Sequence, residues 1–295
     1  MSRFADLGYA AGWRLARLTP GGLATRAFRA GADLAARRNG PGARQLRHNL
    51  ARVVPDATSA GLDALVCDGL RSYARYWQET FMLPSADHGA LLDRLDSAME
   101  GMEHLDAALA RGRGVVVALP HSGNWDVAGL WFVRQHGVFS TVVERLRPEA
   151  LYQRFVDYRV SLGFDIVPLT GAGSPTARLL RRLRAGGVVC LLADRDLTGA
   201  GAAVEFFGGA ARMPLGPARL AAATGATLLV IGCWFTPDGW AIRFHPPVPV
   251  SDPSVAARAT QKMADCFAID IAAHPQDWHM LQPVWVDELP VTTCR

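Results

Sequence analysis

The sequence predicts an α/β protein in which a mixed, largely parallel central sheet is flanked by helices. Half of the 295 residues are apolar, which is enough for a sizeable core. Short runs rich in valine, leucine and isoleucine recur from residue 115 onwards, and helical patterns separate them. Strands and helices that alternate in this way form crossover units, which place the strands parallel in one sheet.

The elements fall into two regions, residues 1–84 and residues 85–295. The first region has helical patterns throughout, so we expect it to pack as N-terminal helices on the rest of the chain. The second region is expected to form one continuous α/β core. Its predicted strands are, in chain order, VVVALP, VFSTVVE, FDIVPL, VVCLLAD, TLLVIGCWF and WAIRFHPPVPV, the last as an edge strand blunted by its prolines.

Positive charge is concentrated at the N-terminus. Residues 1–53 contain ten arginines and two aspartates, a formal +8, whereas the whole chain carries +4. A helix over residues 4–18 would have one apolar face with arginines beside it (Phe4, Leu7, Ala11, Leu15 and Leu18; Arg3, Arg14 and Arg17). This pattern predicts membrane-associating N-terminal helices on an anionic surface. The alternative is an ordinary surface helix packed on its own core.

Several classes of protein are disfavoured by composition. Five cysteines without a C-x-x-C pair argue against a disulfide framework and a zinc ribbon, and they indicate a reducing compartment. No run of about 20 apolar residues occurs, so no membrane-spanning helix is predicted. An aspartate interrupts the first apolar segment, which is atypical of a secretory signal. We therefore expect a peripheral protein on the cytoplasmic face of the cell membrane.

A polar cluster follows the first strand of the core, in the segment VVVALPHSGNWDVAGLW. His121 and Asp126 are five residues apart, so on one continuous helix they would be rotated by about 140°. They can meet if His121 lies in a loop and Asp126 in the first turn of a helix capped by Ser122 or Asn124. The carboxylate would then fix the imidazole tautomer for general-base catalysis. A capped helix start with a hydrogen-bonded histidine is the alternative explanation.

The segment PHSGNWD resembles the H-x4-D motif of the glycerolipid acyltransferase superfamily. Five further blocks occur in that family's order: RQLRHNLARVVP, VVERLRPEALYQRF, RVSLGFDIVPLTG, LLADRDL and VEFFGGAARMPLGPARLA. Nearly the whole chain is similar to the branch that contains lipid A biosynthesis acyltransferases and actinobacterial phosphatidylinositol mannoside acyltransferases. The amino-acid sequence of the later blocks is most similar to that of the mannoside enzymes.

The resemblance implies an acyltransferase whose catalytic residues are His121 as general base, Asp126 as the motif acid and Glu205 as a further acid of a charge relay. The residues expected to bind substrate or shape the site are Ser122, Asn124, Glu144, Arg159, Asp194 and Arg195. It also implies the substrates: a palmitoyl-like group would pass from acyl-CoA to a mannose hydroxyl of phosphatidylinositol mannoside. Acyl-CoA is a co-substrate here, and neither a cofactor nor a metal is expected because a thioester is already activated.

Without the family, several of these residues are ambiguous. Asp194, Arg195 and Asp196 follow a buried strand at the same sheet end as His121, so they either line the cleft or form a local ion pair. Arg159 can pair with Glu144. The FFGG segment either admits a phosphate or an acyl chain near a helix N-terminus, or forms a tight turn before a helix. Six residues either line an acyl groove or belong to the core: Trp77, Phe81, Met82, Trp125, Trp131 and Phe132.

Two other functions remain open at this point. A lipid A type acyltransferase shares the motif but takes its acyl group from an acyl-carrier protein and uses another glycolipid acceptor. A non-catalytic protein could use the arginine-rich arm to bind an anionic membrane or nucleic acid, although nucleic acid is not the expected partner. The oxyanion of the acyltransferase reaction is expected to be bound by backbone N–H groups at the helix start after His121.

Overall fold

Seven strands form the central sheet of the computed structural model, which describes residues 21–145, 149–169, 174–196 and 199–288. Their order across the sheet is β1-β9-β8-β2-β5-β3-β4. The strands are β1 (Met99–Glu100), β2 (Val115–Leu119), β3 (Phe139–Val143), β4 (Asp165–Pro168), β5 (Val188–Leu192), β8 (Thr227–Phe235) and β9 (Trp240–Phe244). Every neighbouring pair is parallel except β8 with β9. The predicted fold class is confirmed.

Helices cover both faces of this sheet, because side chains along its buried strands alternate between two cores. In β2, Val116 and Ala118 belong to one core, whereas Val115, Val117 and Leu119 belong to the other. The first core also receives side chains from α8 (Pro175–Arg184), α9 (Gly216–Thr224) and α10 (Ala256–Ala273). The second receives them from α4 (His88–Asp96), α5 (Met102–Ala110), α6 (Trp125–His136) and α7 (Glu149–Ser161).

The first three helices of the described residues build a smaller apolar cluster of their own. They are α1 (Gly21–Arg38), α2 (Pro41–Val53) and α3 (Ser59–Met82). Their shared core contains Leu46, Leu50 and Leu70, and Leu281 from the far end of the chain packs against it. The predicted helix over residues 4–18 lies outside the described residues. Among the described residues, no helix is both long enough and apolar enough to span a bilayer.

Two details differ from the sequence prediction. The FFGG segment is the turn of an antiparallel hairpin, β6 (Ala202–Phe206) and β7 (Gly209–Met213), which forms a separate two-stranded sheet. Phe207 and Gly208 both have positive φ, 48° and 69°, as a two-residue hairpin turn requires. The predicted edge strand, β9, is covered by the two-residue strand β1, so it is the second strand from the edge.

Candidate active site

The carboxyl ends of β2 and β5 bring His121 and Asp194 together. The two strands are parallel neighbours, and Leu119 lies opposite Leu192 in their register. His121 lies two residues after Leu119, and Asp194 lies two residues after Leu192. The strand register therefore places His121 and Asp194 side by side. Open α/β sheets bind ligands at this end of their parallel strands.

Asp194 holds the His121 imidazole in one orientation. Its Oδ1 lies 2.6 Å from His121 Nδ1, and its Oδ2 accepts the backbone N–H of His121 at 2.9 Å. Burial by itself would raise the pKa of Asp194, but the charge of His121 and the hydrogen bonds it donates outweigh burial and hold that pKa below its ordinary value. With Nδ1–H directed to the carboxylate, Nε2 of His121 is left to accept a proton.

The segment Asp277–His279 closes around this pair. Trp278, which is fully buried, donates its indole N–H to Asp194 Oδ2 at 3.0 Å. The backbone of His279 donates to the His121 carbonyl at 2.8 Å, and that of Gly123 donates to the Asp277 carbonyl at 2.9 Å. Two main-chain bonds therefore fix the histidine loop to a segment more than 150 residues away, and the indole of the same segment holds Asp194.

A second imidazole lies beside His121. Ser72 Oγ donates to Asp277 Oδ1 at 2.6 Å and lies 2.9 Å from His279 Nε2. A hydroxyl has one proton, so His279 donates through Nε2 and its Nδ1 carries no proton. Burial lowers the pKa of His279 to about 3, which keeps the ring neutral. Sequence reasoning missed this cluster, although the run Asp277-Trp278-His279 after a helix end was a visible signal.

Asp126 has other partners than the histidine, which corrects the prediction that it orients His121. Arg159 Nε donates to Asp126 Oδ1 at 2.9 Å, and the Tyr76 hydroxyl donates to Oδ2 at 3.1 Å. Burial would lower the pKa of Arg159, but the adjacent carboxylate outweighs burial and raises it above its ordinary value. The motif acid thus joins α6 to α7 and α3 through a buried ion pair. The predicted pairing of Arg159 with Glu144 does not form.

Asn124 caps α6, as the sequence predicted for Ser122 or Asn124. Its Oδ1 accepts from the N–H groups of Asp126 and Val127, both at 3.1 Å, and its Nδ2 donates to Glu79 Oε2 at 2.7 Å. Because both ends of the amide are engaged, Asn124 positions the helix, and the expectation that it contacts substrate is not supported. Ser122 Oγ is buried and has no hydrogen-bond partner among the described residues.

The same bonds occupy the backbone donors expected to bind the oxyanion. The N–H of Ser122 donates to the Pro120 carbonyl at 2.8 Å, and that of Gly123 is taken by Asp277. The N–H groups of Asp126 and Val127 are taken by the Asn124 cap. Four N–H groups between residues 122 and 127 are thus already bonded, so the predicted oxyanion site at this helix start is largely closed.

An apolar cavity is bordered by Trp125, whose ring contacts that of His121. It encloses about 700 Å³ of space outside protein atoms, part of which is open to solvent. Trp125, Trp131 and Phe132 line it, as the groove hypothesis proposed, and Asp126 with Arg159 is its main polar feature. Trp77 and Phe81 pack in neighbouring cores and do not line it.

The remaining predicted residues lie at the rim or elsewhere. Glu144 and Arg195 form an exposed ion pair at 3.5 Å, beyond the ends of β3 and β5. Glu205 is exposed on the β6–β7 hairpin, where its backbone N–H donates to Gln261 Oε1 at 2.8 Å. Among the described residues, no hydrogen bond joins Glu205 to His121, and Asp194 holds the position in the charge relay that was assigned to Glu205. Nor do the described residues include a group of three or more side chains suited to a metal ion.

The chain is similar to known bacterial acyltransferases over most of its length. Residues 2–286 match the model of the family described as bacterial lipid A biosynthesis acyltransferase. A phosphatidylinositol mannoside acyltransferase of Mycobacterium tuberculosis (strain H37Rv) is 53% identical over 285 residues, 96% of this chain and 89% of the relative. The protein of the same name from Mycolicibacterium smegmatis is 54% identical over 285 residues, 96% of this chain and 92% of the relative.

Proposed function

Because the chain belongs to the bacterial lipid A biosynthesis acyltransferase family and is an acyltransferase, we propose that it moves a fatty acyl group from acyl-CoA to a mannose hydroxyl of phosphatidylinositol mannoside. One observation carries the chemistry: His121 is oriented by buried Asp194, and its ring contacts Trp125, which lines an apolar cavity. The relatives' names support the acceptor. A non-catalytic binding function is not needed to explain the chain.

The reaction requires one proton to move twice. His121 Nε2 takes the proton from the acceptor hydroxyl while the oxygen attacks the thioester carbonyl carbon. The resulting imidazolium is stabilised by the Asp194 carboxylate, to which its Nδ1–H remains bonded. Collapse of the tetrahedral intermediate breaks the carbon–sulfur bond, and the departing thiolate receives the proton from His121. No metal or cofactor enters these steps.

The acyl chain is proposed to occupy the apolar cavity. Its walls are aliphatic and aromatic side chains of both the sheet and α6, among them Val117, Leu119 and Phe132. Burying a hydrocarbon chain there is favourable by about 0.8 kcal/mol per methylene group. Trp125 borders the cavity and also contacts the His121 ring, with 5.6 Å between ring centroids, so a chain lying in the cavity would present its carbonyl beside the base.

Mass spectrometry of the products tests this function. Purified protein is incubated with palmitoyl-CoA and a phosphatidylinositol mannoside, in parallel with His121→Ala. We expect the parent protein to add an acyl group to the mannoside. The variant should form this product at least 10²-fold more slowly, since general-base assistance contributes about 10² to 10⁴ in rate. Acylation of a lipid A precursor from acyl-carrier protein instead, with no mannoside product, would move the proposal to the sister activity. Undiminished product from folded His121→Ala would refute the mechanism.

The protein is further proposed to work as a peripheral protein on an anionic membrane, on its cytoplasmic face. Helix α1 supports this, because it is held to α3 through Ala24, Ala32 and the ring of Phe28, which lies 6.1 Å from Phe81. Its outer side exposes Leu23 and Leu34, 55% and 46% accessible, together with exposed arginines (Arg26, Arg29, Arg37 and Arg38). Exposed leucines between arginines suit an interface of acyl chains and anionic headgroups.

Vesicle sedimentation tests the membrane proposal. Arg26→Gln with Arg29→Gln should weaken binding to vesicles containing anionic lipid, by a factor that shrinks as salt is raised, since each arginine near such a surface contributes about 1 kcal/mol. Arg111→Gln with Arg113→Gln, which removes two exposed charges between α5 and β2, is the matched control. Equal binding by both variants and the parent protein would show that α1 is not the contact.

A further inference from the structure

Three polar side-chain atoms in and beside the histidine loop are buried and lack a partner among the described residues. They are Ser122 Oγ, Trp125 Nε1 and His279 Nδ1. The indole nitrogen is the one with a fixed proton, because a hydroxyl rotates and His279 Nδ1 is unprotonated. A donor that is buried and unsatisfied loses its hydrogen bonds to water without replacement, so its retention calls for an explanation.

The position of Trp125 suggests what its N–H is for. Its ring stands edge-on to the His121 ring, with centroids 5.6 Å apart and planes at 80°, and it also lines the apolar cavity. Tyr76 packs on its other side at 4.1 Å, which restricts the indole to one orientation. Trp125 therefore contacts both the base and the space proposed for the acyl chain, and the thioester carbonyl would lie where these two meet.

The occupied backbone groups strengthen this argument. The attack of a hydroxyl on a thioester places negative charge on the carbonyl oxygen, and acyl-transfer sites supply preorganised donors to that oxygen. Here Ser122, Gly123, Asp126 and Val127 have their backbone N–H groups bonded within the protein. A side-chain donor in the same segment can replace them.

We propose that Trp125 is a catalytic residue whose indole N–H binds the oxyanion of the tetrahedral intermediate. As the acceptor oxygen bonds to the carbonyl carbon, the carbonyl electron pair moves to oxygen, and this oxygen accepts a hydrogen bond from Nε1–H without proton transfer. The carbonyl is restored when the carbon–sulfur bond breaks and the thiolate takes the proton from His121. This inference rests on the proposed thioester acyl transfer but not on the identity of the acceptor.

Two replacements separate the N–H from the shape of the ring. Trp125→Phe keeps an aromatic ring, and a 3-benzothienylalanine incorporated at position 125 keeps the bicyclic shape with sulfur in place of N–H. Both should lower kcat by about 10²-fold, the effect of removing one oxyanion donor, with KM for the acyl donor changed less than threefold. Trp234→Phe is the control, because Trp234 stacks on His274 outside the site and should retain full kcat.

The outcomes are distinguishable from a failure of the proposed function. Turnover of the parent protein is measured first with palmitoyl-CoA and with palmitoyl-acyl-carrier protein, since either thioester forms the same oxyanion. No turnover with both would overturn thioester acyl transfer and this role with it. Parent turnover that persists in the benzothienyl protein would overturn the role of Trp125 alone. The affinity of each protein for an S-alkyl-CoA thioether, which has no carbonyl, is measured as well. If the Trp125 variants also bind this thioether more weakly, Trp125 binds the donor and not the oxyanion.

Discussion

At the scale of single residues, the site contains two buried carboxylates whose partners differ in chemistry. Asp194 is bonded to an imidazole, which gains and loses a proton during the reaction. Asp126 is bonded to the guanidinium of Arg159, whose charge is permanent. A change at the first carboxylate should alter proton transfer, whereas a change at the second should alter the stability of the fold.

Asp194→Asn should reduce kcat by about 10³-fold, because an amide can stabilise the wrong imidazole tautomer and cannot stabilise an imidazolium by charge. Steady-state rates measure this loss. In Asp196→Asn the changed side chain can still accept from the Gly201 N–H, so this control should keep the parent kcat.

Asp126→Asn should destabilise the protein by about 3 to 5 kcal/mol, because Arg159 is left as a buried charge without a counter-ion. The free energy of unfolding in urea measures this loss. Combining the substitution with Arg159→Gln should recover part of it, as expected for residues in direct contact. An unchanged free energy of unfolding would contradict the division of roles.

At the scale of elements, β9 is joined to α10 by a buried cluster remote from the site. His245 Nε2 lies 2.7 Å from Asp270 Oδ2, and Arg243 donates to Oδ1 at 2.6 Å. Burial would lower the pKa of His245, but the hydrogen bond to Asp270 outweighs burial and raises that pKa to about 9. The close passage of Gly232, where a Cβ would lie 2.0 Å from Asp270 Oδ2, leaves the carboxylate little freedom.

His245→Gln should remove a pH-dependent part of the stability. The pKa of His245 in the folded protein, about 9, exceeds the ordinary histidine value of 6.5, so the stabilisation is fully present below pH 6.5 and is lost as pH rises through 9. The free energy of unfolding of the parent protein should exceed that of the variant by about 3 kcal/mol at pH 6, and this difference should largely vanish by pH 10. Urea unfolding of both proteins across this range measures it, and other titrating groups cancel in the comparison. A difference that does not vary with pH would show an uncharged His245.

Element prediction from sequence succeeded where patterns were long. The valine-rich strands and the helices between them were recognisable because continuous apolar runs and helical spacing are strong signals. The β6–β7 hairpin was missed since each of its strands has five residues of mild alternation, and its turn places Phe207, a bulky residue, at positive φ. The residues of the turn therefore suggested a loop before a helix.

At the scale of the whole molecule, the order of strands determines which polar residues meet. His121 and Asp126 are neighbours in sequence, which made them the natural pair, but β2 lies between β5 and β8. That adjacency, with its register, gives His121 the partner Asp194, 73 residues away. The sequence contained the signal that charged residues follow a buried strand, but strand order cannot be read from local patterns, so Glu205 and Asp126 were preferred.

The N-terminal helices and the sheet should contribute separately to catalysis. Arg26→Gln with Arg29→Gln should slow turnover of a phosphatidylinositol mannoside embedded in anionic vesicles, because less enzyme is held at the surface. Turnover of a short-chain, water-soluble mannoside acceptor should stay within about twofold, since α1 lies outside the site. Initial rates with the two acceptors measure the split. A similar loss with both acceptors would indicate damage to the site itself.

The main-chain bonds between the histidine loop and the segment Asp277–His279 have a consequence for synthesis of the protein. A ribosome adds about 5 to 20 residues each second, so residue 121 emerges many seconds before residues 277–279 do. During that interval the strands of the sheet can pair, but the base has neither its main-chain support nor the indole that holds Asp194. The growing chain is therefore expected to remain inactive until residues 277–279 have left the ribosome and have bonded to the histidine loop.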